Sequence, residues 1–85
     1  MLIVTRSPAN IVLKILEVLA ENSGIMKDLD LYEVLHREFD LSYSELLKYL
    51  MMLEIRGYVH VSSSKENLRV ISLTPKVKEY LMNRR

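Results

Sequence analysis

Two helix-start signals twelve residues apart, Asp30 with Glu33 and Ser42 with Glu45, do most to limit what this chain can fold into. In each, a side-chain acceptor stands three positions ahead of a carboxylate, the pattern that satisfies the free N–H groups of a helix's first turn. Each introduces apolar residues recurring at threes and fours. Leu31, Val34 and Leu35, with Phe39 close behind, form the first inward stripe, and Leu46, Leu47, Leu50 and Leu53 the second. The interval leaves room for one short helix and a tight turn at Asp40-Leu41, and Gly57 ends the second run. Beyond Gly57 the period falls from helical to two. Tyr58 to Ser63 alternates with Val59 and Val61 on one face, Ser64 to Asn67 makes a polar tip, and Leu68 to Leu73 returns. Thr74-Pro75 then opens a short last helix, with Val77, Tyr80 and Leu81 as its expected anchors.

Upstream, Ser7-Pro8 places an acceptor at the N-cap and proline at the first helical position. Asn10, Lys14, Glu17 and Glu21 draw one narrow polar stripe, with Ile11, Val12, Leu13, Ile15, Leu16, Val18 and Leu19 between them. A helix with so narrow a wet face is wrapped on most sides. It is either the central helix or a core helix that also dimerises. Asn22-Ser23-Gly24 ends it, with Gly24 suited to a left-handed C-cap, and Ile25 to Lys27 reads as a brief strand. Residues 1–6 form a β-prone arm, either an edge strand or a contact to another subunit. The expected fold is α+β and mainly helical: one domain over residues 1–85, with three helices, a two- or three-stranded β-ribbon and a short C-terminal helix.

Cysteine is absent, which excludes a disulfide framework and thiolate metal sites. The apolar runs fall far short of the roughly 18 residues a membrane span needs, and no signal-peptide pattern is present, so a cytoplasmic location is expected. His36 and His60 lie on different elements without ligand spacing, and no nucleophile–base–orienter set is evident. Neither catalysis, a cofactor, a metal nor a small-molecule ligand is expected. The net charge of +1 is unevenly divided. Residues 1–41 hold four Lys/Arg against seven Asp/Glu, whereas residues 42–85 hold eight against four. Such asymmetry points to an anionic partner.

The segments Leu41-Ser42-Tyr43-Ser44-Glu45-Leu46 and Leu50-Met51-Met52-Leu53-Glu54-Ile55-Arg56-Gly57-Tyr58-Val59, with Ile71-Ser72-Leu73-Thr74-Pro75, resemble the winged helix-turn-helix regulators of archaea and bacteria. These include the MarR, ArsR and PadR types. The likeness covers about Ser7 to Leu81. It implies that residues 43–56 form a recognition helix for the major groove of duplex DNA, residues 58–73 a wing, and the whole a transcriptional regulator acting as a homodimer. The same fold also serves as a protein-binding adaptor without DNA binding.

On the DNA reading, Lys48 is the groove contact, with Tyr43 and Ser44 at the helix start where base edges are met. Tyr49 and Met52 stand on the same outer stripe, as apolar DNA contacts, a partner patch or packing beneath the wing. Lys65 and Arg69 are the phosphate contacts, each able to release a counterion. Dimerisation is expected from surplus apolar surface on the 1–6 arm and the first helix.

Overall fold

The computed structural model describes residues 7–63 and 65–82, the side chains of Lys65 and Met82 excepted. The N-terminal arm therefore lies outside the described residues. Helix α1 (Pro8–Glu21) leads into strand β1 (Ile25–Lys27), which runs directly into α2 (Asp28–Phe39). Helix α3 (Tyr43–Ile55) follows after a three-residue turn. Strands β2 (Val59–Ser63) and β3 (Arg69–Leu73) form a ribbon, and α4 (Pro75–Met82) closes the described chain. The sheet is antiparallel in the order β1-β3-β2, with Ile71 opposite both Met26 and Val61. The protein is thus α+β and mostly helical.

Local chemistry explains most of these boundaries. The Ser7 side chain accepts from the Asn10 N–H with Pro8 at the first helical position. At the start of α3 both halves of a capping box form: the Glu45 N–H donates to the Ser42 hydroxyl at 3.1 Å, and the Ser42 N–H to the Glu45 carboxylate at 3.0 Å. At its end the Tyr58 N–H reaches the Leu53 carbonyl and the Gly57 N–H that of Glu54, the paired bonds of a Schellman stop. That stop needs Gly57 at φ +79, although no neighbouring atom would obstruct a Cβ there. Glycine is required here by backbone conformation alone.

The α2–α3 turn contains no glycine. Asp40 takes the left-handed position instead (φ 55, ψ 37), which Asp and Asn tolerate better than other side chains. Leu41 is fully buried and plugs the turn into the core. The core joins Ile11, Ile15 and Leu19 of α1, Leu31 and Leu35 of α2, Leu46, Leu50 and Leu53 of α3, and Val59, Ile71 and Leu73 of the ribbon. Across its rim, Lys14 of α1 bonds Glu38 of α2 at 3.2 Å, and that bond holds the lysine above its ordinary pKa.

Four expectations are corrected. The α2 start lies at Asp28 rather than Asp30; Lys27 is the N-cap and makes no side-chain cap bond. Asp28 is the carboxylate that matters there, and Asp30 sits inside the first turn, favourably placed for the helix dipole. At the end of α1 Gly24 takes positive φ as expected (φ 85), and Ser23 before it does so too (φ 64). Leu47, expected inward, is only half-buried, because it is rotated about 100° from Leu46 around the helix. Tyr80 is 64% exposed, and among the described residues it is Val77 and Leu81 that pack α4 onto the core. Finally, α1 carries little surplus apolar surface: Val12 and Leu16 pack on the core and Leu13 is its one large exposed hydrophobe.

Leu50→Ala should cost about 2–5 kcal/mol by opening a cavity at the middle of the core. Ser42→Ala should cost about 1 kcal/mol through the lost cap. Urea titration followed by circular dichroism should return the two substitutions in that order.

Candidate interaction surface

Asp28 is 2% exposed and stands where β1 becomes α2. A charge removed from water must be met by donors. One Oδ accepts from the Leu29 N–H at 2.9 Å, and the other accepts from the Tyr43 hydroxyl at 2.5 Å. The Tyr43 oxygen in turn accepts from the Arg69 guanidinium at 3.2 Å. Tyr43 also meets Tyr32 edge-on at 5.8 Å, and Tyr32 stacks on His36 at 5.2 Å. This guanidinium–phenol–carboxylate chain joins the first residues of α2, α3 and β3. It pushes the Tyr43 pKa up, chiefly because a phenolate could no longer donate to Asp28; burial adds to the rise and Arg69 opposes it.

The opposite end of α3 is tied to the ribbon as well. Glu54 Oε2 accepts from the Val61 N–H at 3.2 Å, on the side of β2 that faces away from β3. The Thr74 hydroxyl donates to the Gly57 carbonyl at 2.8 Å, fixing the α3 stop to the start of α4. Helix and ribbon therefore form one frame, held at both ends.

Of the six residues singled out from the sequence, five fall into three groups and the sixth, Lys65, stands apart. Ser44 and Lys48 are exposed, one turn apart on the outer face of α3. Tyr43 and Arg69 meet each other, 26 positions apart in sequence, as parts of the internal tie rather than as free groups. Tyr49 is half-buried against the core, and Met52 beside it is too. The Lys65 side chain lies outside the described residues; its backbone begins a 3-10 turn in which Glu66 and Asn67 take positive φ.

The outermost side chains of α3 were not among those singled out. Met51 is 62% and Ile55 80% exposed, and with half-buried Leu47 they recur every four residues. Lys48, Met51, Met52, Ile55 and Arg56 line a shallow open depression, and Glu45, Lys48, Tyr49 and Met52 line a second beside it. The signal was present as a Leu-x-x-x-Met-x-x-x-Ile repeat. It was masked because Leu47 also fits the inward stripe and Met51 looks like a spacer between two core leucines.

Among the described residues, no group of three His, Cys, Asp or Glu could hold a metal ion. No described helix is long and apolar enough to cross a membrane. No protein-family model, curated protein or solved structure matches the chain.

Tyr43→Phe leaves the buried Asp28 oxygen without its donor and should cost about 1–3 kcal/mol. The phenol's pKa is raised on folding, so its contribution is complete below about pH 10 and fades as pH climbs through the folded value. Stability measured from pH 8 upward should therefore fall less steeply in Tyr43→Phe than in the wild type.

Proposed function

We propose that the fold is a winged helix-turn-helix whose working face is α3 with the β2–β3 ribbon, and that this face docks a protein. One observation carries the reading: Met51 and Ile55 are largely exposed on the helix that stands in front of the ribbon, with Leu47 on the same stripe. Leaving such side chains in water forgoes roughly 1.5–3 kcal/mol apiece. Contiguous exposed apolar surface marks partner sites more often than solitary exposed hydrophobes do.

Electrostatics support the same reading. Over residues 43–73, Lys48, Arg56, Lys65 and Arg69 face Glu45, Glu54 and Glu66, which leaves a surplus of a single positive charge. Arg69 is also engaged with Tyr43. Proteins that grip duplex DNA strongly neutralise about 6–10 phosphates. The basic surplus of the second half belongs mostly to residues 76–85, including Lys76 and Lys78 on α4.

A second reading is favoured by Ser44 and Lys48, both exposed on the first half of α3 where a recognition helix meets base edges. On it the chain is a DNA-binding transcriptional regulator of the cell interior, dimeric so that two half-sites compensate for its low charge. Binding to a random-sequence duplex across a salt series separates the two readings. The docking reading expects weak binding that changes little with salt. A log–log slope of about −2 or steeper, diminished by Lys48→Ala, would assign the face to DNA instead.

A further inference from the structure

The exposed strip of α3 is bordered by two cations that no carboxylate answers among the described residues. Lys48 and Arg56 stand at either end of the depression that also contains Met51, Met52 and Ile55. Among the described residues, no salt bridge joins either of them. The two carboxylates on the same helix are engaged elsewhere. Glu45 closes the cap at Ser42, and Glu54 holds the Val61 N–H on the outer edge of β2.

Resting on the docking reading above, we infer that this strip receives an amphipathic helical segment of another protein, apolar along its centre and bordered by Asp or Glu. The dimensions fit. From Lys48 to Arg56 the helix advances about 12 Å, two turns, which matches apolar anchors at i, i+3 or i+4, and i+7 of an incoming helix. The mode fits as well. Strand addition needs a free backbone edge, and at β2 the Glu54 carboxylate already covers the Val61 N–H next to the strip. A helix brings its own backbone bonds and needs only side-chain contact. Charge decides between partners. A second copy of this chain would bring another Lys48 and Arg56 to the contact with its carboxylates held in the same two bonds, leaving four cations unopposed. An acidic border on the partner supplies the missing charge, steering encounter and fixing register.

The test uses the full chain and a fluorescein-labelled helix-forming peptide of about 15 residues, near the length at which isolated helices begin to hold. It carries leucines at i, i+3, i+4 and i+7 bordered by glutamates, and its twin has lysines in their place. Anisotropy should show binding of the glutamate peptide and little of the lysine twin. Lys48→Glu and Arg56→Glu should each weaken it about tenfold, and Ile55→Ser should weaken it with unchanged salt dependence. All three positions are exposed, and an unchanged circular dichroism melt confirms that each variant folds. Equal binding of both peptides, with Ile55→Ser weakening both, overturns the acidic partner and leaves the docking face standing. Binding of neither peptide overturns both. Displacement of the glutamate peptide by random-sequence duplex, with affinity falling steeply in salt, gives the strip to DNA and overturns both as well.

Discussion

Asp28 sits at 2% exposure between a strand and a helix, and a carboxylate that far from water destabilises a small domain unless its lone pairs are met. The donors that meet it come from one neighbouring backbone N–H and from Tyr43, which is itself held by Arg69. Each bond polarises the next, and in a partly dry setting a linked chain of donors is worth more than its separate pairs. Its geometric consequence exceeds its energy. Residues 28, 43 and 69 are the first residues of α2, α3 and β3, so their meeting fixes where α3 enters the frame and where the ribbon returns. Removing Tyr43, the middle member, would break the tie among all three elements. The leucine core has no comparable directional hold, because apolar packing is strong but tolerates small rotations of the helix it buries.

Elements whose signals are local were legible in the sequence. The Ser7-Pro8 start, the Ser42–Glu45 capping box, the Gly57 stop and the change of period after it each depend on residues within one turn of each other, and all form. The α2 start was less legible, because Asp28 and Asp30 are both acceptors ahead of an apolar run. In the fold it is Asp28, not Asp30, that meets Tyr43. Which α3 residues reach the surface was partly legible; the contacts they make were not. Lys48 and Ser44 are exposed as their spacing on α3 required. Tyr43 and Arg69 were read as free groups because a one-dimensional pattern carries no trace of a contact across 26 positions. The Met51–Ile55 strip was overlooked for a different reason: α3 is apolar over most of its circumference, and composition alone does not say which stripe the core takes.

Three sides of α3 are now distinguishable by use. Leu46, Leu50 and Leu53 face the core; Tyr49 and Met52 are half-buried against it; Leu47, Met51 and Ile55, flanked by Lys48 and Arg56, remain toward solvent. One cation of the ribbon and both carboxylates of α3 have been drawn into the frame. Arg69 holds Tyr43, Glu54 holds β2 and Glu45 closes the cap. What the frame leaves free is therefore not the composition of the helix but a selected remainder of it, apolar in the middle with a cation at each end.

That remainder is also presented rigidly. The Tyr43–Arg69 contact holds the first turn of α3, while the Glu54–Val61 and Thr74–Gly57 bonds hold its last. Binding surfaces lose affinity to the ordering of their own parts, and a face whose helix and ribbon are already fixed avoids most of that cost. A flexible apolar strip of this size would gain little from a partner after paying for its own immobilisation. On a fixed helix the same few side chains, two methionines among them able to adapt their shape, retain more of their burial free energy as affinity. On the proposed reading, the buried Asp28 network bears on recognition without touching any partner: it holds in place the helix assigned to docking.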